Sequence, residues 1–206
     1  MVGLDWRAIE AAELKVDPFD HFTVAQALDP RSAATLRDDF PRLRAPGSFS
    51  LEDAPPGPAL AALIAELGSL RFRRQMERIF ALDLGERPLL FTLRGQCAAR
   101  DGRIHTDSKT KLVSLLLYLN ETWESPDGRL RLLRSGRDLD MAAVEIPPTF
   151  GSLVGFRRSE RSWHGHSSYV GPRRVLQLNY LCTESQSRLG LLRHRVSALW
   201  KPRAAA

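Results

Sequence analysis

Cysteine is scarce in this chain: of 206 residues only Cys97 and Cys182 carry a thiol. Two thiols cannot build a disulfide framework or a cysteine-rich zinc site, and nothing in their placement points to an oxidising compartment. Lysine is scarce too, with four Lys beside twenty-six Arg among the thirty basic residues. No apolar run approaches the length that crosses a bilayer. The opening residues, MVGLDWRAIEAAELK, place Asp5, Arg7 and Glu10 where a secretory leader needs an unbroken apolar stretch. The expectation is a reducing cytoplasm and no membrane partner.

What is present describes one soluble globular domain over 1–206, since 43% apolar and 26% charged residues can fill a core and cover it. The formal charge of +6 could attract nucleic acid or an anionic substrate. The arginines are scattered, however. One arginine-rich stretch, Arg129 to Arg137, opens with Arg at alternate positions 129 and 131, as on the solvated face of a strand. Nucleic acid is therefore not the expected partner.

Along the chain, a helix at the N-terminus leads into a strand at Asp17-Pro18-Phe19-Asp20-His21-Phe22-Thr23-Val24. A second helix is predicted from Arg31 to Phe40, ended by Pro41. Residues 44–58 are rich in Pro and Gly and read as a loop. Leu60, Leu63, Ile64 and Leu67, then Met76, Ile79 and Phe80, keep helical spacing on either side of Gly68, predicting one broken helix or two short ones to Leu82. Residues 1–87 thus form a helical support. From Pro88 the period changes. Strand-length runs at Leu89–Leu93, Leu112–Leu119, Leu130–Leu133, Ser152–Phe156 and Val175–Cys182 alternate with turn signals, which predicts an antiparallel sandwich or barrel over 88–183 with the helices on one face. Leu189, Leu192, Val196, Leu199 and Trp200 predict a last amphipathic helix within 184–206, for packing on the sheet or for a dimer surface, so monomer and homodimer both stay open.

Three of the five histidines fall in two short motifs, His105-Thr106-Asp107 and Trp163-His164-Gly165-His166. A lone His-x-Asp triplet is weak, and a hydrogen-bonded turn plus a surface histidine would explain the same residues. Yet residues i and i+2 of an extended segment point to one side, so His105 and Asp107 can reach a single ion and His164 can complete the set. Two imidazoles and one carboxylate on one face of an octahedral Fe(II) leave adjacent positions open for a co-substrate and O₂. Nine residues after His164 comes Arg173, sharing a strand face with Val175, Gln177 and Asn179, whereas Arg174 falls on the face of Leu176, Leu178 and Tyr180. Arg173 is thus the candidate to grip a carboxylate bidentately inside a polar cavity, and Arg174 to snorkel outward from the strand end.

These residues, together with Tyr118-Leu119-Asn120-x-x-Trp123 and Gly128-Arg129-Leu130, resemble the Fe(II) and 2-oxoglutarate-dependent dioxygenases, in particular their prolyl-hydroxylase-like branch, over about residues 89–182. The resemblance implies an α+β, mainly β fold built on a double-stranded β-helix (jelly roll). It implies His105, Asp107 and His164 as catalytic iron ligands, and Arg173 and Tyr118 as holders of the 2-oxoglutarate distal carboxylate. It also implies O₂ as co-substrate and ascorbate as an optional reductant. The implied activity is hydroxylation of an unactivated C–H bond with release of succinate and CO₂. Retention of Asp107 favours hydroxylation over halogenation. Asn179 stands where an aromatic residue is common in the prolyl-hydroxylase-like enzymes, and Gly95 and Gln96 stand where a tyrosine is expected. The substrate is thus expected to be a peptidyl side chain or a polar small molecule, with Gln96, His166 and Asn179 as candidate contacts. His166 is also a second candidate ligand, less well spaced from Arg173 than His164. The rival reading is a non-catalytic, cupin-like jelly roll that binds a metal or a sugar.

Overall fold

The computed structural model describes residues 2–182. The predicted C-terminal helix lies outside the described residues. The N-terminal part supplies α1 (Trp6–Glu10), β1 (His21–Val24), α2 (Ala33–Asp39), β2 (Phe49–Ser50), α3 (Pro58–Leu67) and α4 (Leu70–Phe80). The rest is β3 (Leu89–Cys97), β4 (Lys111–Tyr118), β5 (Leu130–Leu133), β6 (Ala142–Ile146), β7 (Leu153–Arg157), β8 (Trp163–Gly165) and β9 (Gly171–Leu181). No described helix is long and apolar enough to cross a membrane.

The break at Gly68 resolves into two helices. Gly68 N–H closes α3 on Ile64 O at 2.9 Å, and the Ser69 hydroxyl then accepts from Phe72 N–H at 3.2 Å, so one helix ends and the next is capped within two residues. Asp39, at the end of α2, caps α3 from outside, its carboxylate accepting from Ala59 N–H at 2.5 Å and Leu60 N–H at 3.3 Å.

The strands form two antiparallel sheets, one in the order β1-β7-β4-β9-β3-β2 and one in the order β6-β5-β8. Two-sided burial explains the apolar run of β4 from Leu115 to Tyr118. Leu115 and Leu117 join Leu63, Phe72, Met76 and Phe80 of the helices in one core, whereas Leu116 and Tyr118 join Leu130, Leu132 and Ile146 of the small sheet in another. A central strand buried on both faces carries apolar residues on both, each contributing about 1.5–3 kcal/mol on full burial, with Ser114 the buried polar exception in β4. The architecture is the mainly β jelly roll with helices on one outer face that the sequence predicts.

The arginine-rich strand behaves as a solvated face. Arg129 and Arg131 pair with Glu145 at 3.3 and 2.9 Å, Arg131 also reaches Asp140 at 2.9 Å, and Arg134 reaches Asp17 at 2.6 Å. Such exposed pairs contribute about 0–1 kcal/mol each.

Candidate metal centre and co-substrate cavity

His105 and His164 are brought together by backbone before side chains matter. They form an antiparallel bridge outside the longer strands, each amide donating to the other's carbonyl at 3.0 Å. Residues paired in this way project side by side. The two imidazole centroids stand 4.3 Å apart, and one ligand atom from each of His105, Asp107 and His164 lies within 4.8 Å of the others.

The protonation pattern suits a cation. His105 Nδ1 donates to Arg103 O at 2.8 Å and His164 Nδ1 to Ser162 O at 2.9 Å. A carbonyl can only accept, so in each ring Nε2 keeps the free lone pair. Burial pushes His164 down to about 4, against the pull of Asp107, and so keeps this imidazole neutral at pH 7. Burial alone would raise Asp107, but Lys111, His164 and the Ser114 hydroxyl outweigh it and hold the carboxyl at about 2. Lys111 Nζ stands 3.0 Å from Asp107 Oδ1, and Ser114 Oγ donates to Asp107 Oδ2 at 2.5 Å. An imidazole nitrogen from each of His105 and His164 and one ionised carboxylate form a donor set that fits Fe(II).

The same cavity runs inward to Arg173. It has a volume of about 110 Å³ and is bordered by Lys111, Leu116, Phe156, His166, Gln177 and Asn179, among others. Arg173 is 6% exposed; its Nε donates to Gly128 O at 2.9 Å and its Nη2 to the Tyr118 hydroxyl at 3.2 Å. Among the described residues no carboxylate forms an ion pair with it. A buried guanidinium without an anion is costly, so its presence marks a place for one. Burial raises Tyr118, although Arg173 pulls it the other way, so the phenol stays protonated. Its oxygen accepts from Arg173, which leaves its own O–H to donate.

The face assignment of the two arginines follows the strand period, with Arg173 buried and Arg174 half-buried beside Gln96 and Pro172 on a separate surface depression. Asn179 and His166 both border the cavity. His166 stands outside the three-residue cluster, its Nδ1 donating to Ser167 O at 2.8 Å and its Nε2 3.9 Å from Cys97 Sγ. Gln96 is a correction. Arg94 faces the cavity and a regular period would aim Gln96 there too, but the β3–β9 register shifts between Arg94 and Gln96, and Gln96 turns to the other depression. Lys111, Ser114 and Arg94 went unread in the sequence. Only the β4 and β3 registers bring them to the cavity.

The description "2OG-Fe(II) oxygenase superfamily" matches residues 96–181. No curated protein matches the chain. Among solved structures, a Pseudomonas putida prolyl-4-hydroxylase aligns with a TM-score of 0.56 at 21% identity, covering 78% of this chain and 85% of its own. A viral collagen prolyl hydroxylase from Paramecium bursaria Chlorella virus-1, in complex with 2-oxoglutarate, aligns with a TM-score of 0.57 at 12% identity, over 80% of this chain and 96% of its own. A prolyl 4-hydroxylase from Phytophthora capsici aligns with a TM-score of 0.53 at 20% identity, over 85% of this chain and 68% of its own. At these identities the structures speak for the fold, and the family match speaks for the chemistry. The match to the 2OG-Fe(II) oxygenase superfamily thus falls on residues 96–181, the part of the chain that carries the His-Asp-His cluster and Arg173, on a fold similar to that of the prolyl hydroxylases.

Proposed function

We propose that this chain hydroxylates an unactivated C–H bond of a polar substrate, either a small molecule or a peptidyl side chain, and that His105, Asp107 and His164 hold its iron. When bound, Fe(II) with 2-oxoglutarate and O₂ supplies the oxidising power for such a step, with succinate and CO₂ as co-products. The protein's share is placement. The guanidinium of Arg173 takes the distal carboxylate of 2-oxoglutarate, and the Tyr118 hydroxyl adds a second donor. Leu116, Leu130 and Phe156 form an apolar wall that keeps water from the reacting atoms. Lys111, Gln177 and Asn179 give the cavity a polar side, which favours a polar substrate over a bare hydrocarbon.

The observation that carries this reading is one cavity that holds both the His-Asp-His cluster and a buried arginine that pairs with no carboxylate among the described residues. A non-catalytic, cupin-like jelly roll that binds a metal or a sugar does not by itself call for a buried arginine beside the cluster. The test is succinate formation from 2-oxoglutarate by the purified chain with Fe(II) in air, first without substrate and then across amino acids, saccharides and peptides. Turnover in the wild type that disappears in His105→Ala and Asp107→Ala is expected; none with any candidate, while iron stays bound, would overturn the reading.

A further inference from the structure

Ser114 Oγ stands between two side chains that both present it with an oxygen. It lies 2.5 Å from Asp107 Oδ2 and 3.1 Å from Asn179 Oδ1. A serine hydroxyl owns one proton, whereas a carboxylate oxygen and an amide oxygen only accept. Ser114 cannot donate to both. The distances decide between them: Asp107 Oδ2 at 2.5 Å is much the nearer acceptor, and Lys111 Nζ holds the other oxygen of the same carboxylate at 3.0 Å, so the Ser114 proton goes to Asp107. The remaining 3.1 Å contact would then set two lone pairs against each other at a place where Ser114 is 3% and Asn179 5% exposed. Turning the Asn179 amide by half a revolution, which exchanges two groups of nearly equal size, converts that contact into a hydrogen bond.

We infer that Asn179 is a positioning residue for the metal-binding carboxylate: its Nδ2–H donates to Ser114 Oγ, whose O–H donates to Asp107 Oδ2. The backbone supports the chain of bonds, because Ser114 on β4 and Asn179 on β9 are directly paired across the central sheet. Lys111 fixes one carboxylate oxygen from the rim, and the Ser114–Asn179 pair fixes the other from the sheet. Together they set the plane of a side chain that sits on a loop rather than on a strand. Asn179 thereby acts through Ser114 and touches neither iron nor substrate in this role. The inference rests on the metal-centre reading above.

The test is Mn(II) binding to the metal-free full chain, measured from the electron paramagnetic resonance of free Mn(II). Asn179→Leu, Asn179→Ala and Ser114→Ala are each expected to weaken binding about tenfold, as loss of an outer hydrogen bond to a ligand does. Adding Asn179→Ala to Ser114→Ala is expected to cost nothing further. Ser114→Thr, which keeps the hydroxyl, should restore wild-type affinity. With Co(II), the visible bands should shift the same way in the Asn179 and Ser114→Ala variants. The two Asn179 variants guard against a folding defect in one of them. Wild-type affinity in a folded Asn179 variant, or losses that multiply in the double variant, would overturn the inference and leave the metal centre standing. Failure of the wild type to bind Mn(II) would overturn both.

Discussion

At the inner end of the cavity the guanidinium of Arg173 donates to the Tyr118 hydroxyl at 3.2 Å while lying 5.1 Å over the centre of the same ring. Both side chains are buried. The phenol thus holds the arginine by its edge and its face, and neither group consumes the donors that point to the cavity. An anionic co-substrate meets a site already built, so little ordering entropy remains to be lost on binding.

Arg173→Ala should raise the dissociation constant for 2-oxoglutarate about 100-fold, the equivalent of roughly 3 kcal/mol. Arg174→Ala, on the half-buried opposite face, should change it less than threefold. Calorimetry with the Mn(II)-loaded protein reads both. Equal effects would mean that the co-substrate carboxylate sits elsewhere.

Gly102 should tolerate no side chain. Its φ is +85°, and a β-carbon there would run into the ring and carbonyl of His166. His166 N–H also donates to Gly102 O at 2.8 Å, so displacement of this contact is passed to the short strand that carries His164. Gly102→Ala should weaken Mn(II) binding and lower stability by about 1–3 kcal/mol, checked by metal titration and urea unfolding.

Gly155 tests the packing of helices on the sheet without touching the metal centre. A β-carbon there would lie 2.8 Å from Phe22 Cζ, and Phe22 packs on Phe80 of α4 with ring centres 5.7 Å apart. Gly155→Ala should cost about 1–3 kcal/mol by overpacking, seen as a lower urea midpoint with an unchanged slope.

Tyr180 predicts a loss of stability in alkali. Its hydroxyl is buried with no hydrogen-bond partner among the described residues, and burial raises the group to about 12 although Arg73 pulls it down. A group raised in the folded state supports folding fully below its ordinary value of 10.0 and loses that support as pH climbs through the folded value. Between pH 10 and 12 the wild type should therefore lose up to about 2 kcal/mol that Tyr180→Phe does not lose. Near neutrality the Phe variant should be as stable as the wild type or more so, because an unpaired buried hydroxyl contributes nothing. Urea midpoints against pH for both proteins measure the difference.

Long, two-sided apolar strands announce themselves in the sequence, and β4 and β9 lie close to where their runs of Leu and Val put them. Short strands do not. β8 has three residues and β6 only moderate burial, so neither carries a period to read, and β2 lies inside a stretch whose Pro and Gly read as loop. The metal cluster was legible because His105, Asp107 and His164 keep a recognisable spacing, and Arg173 because strand alternation separates it from Arg174. Gln96 was misplaced because a bulge is invisible to a two-residue period. Lys111 and Ser114 escaped notice because each reaches Asp107 only through the turn into β4, a contact set by register rather than by pattern.

The most direct test is anaerobic addition of Fe(II) and then 2-oxoglutarate to the purified chain, followed by visible absorption. A new charge-transfer band is expected that saturates at one equivalent, is absent in His105→Ala and Asp107→Ala, and needs far more 2-oxoglutarate in Arg173→Ala. Iron binding with no such band at any co-substrate concentration would contradict the proposed function.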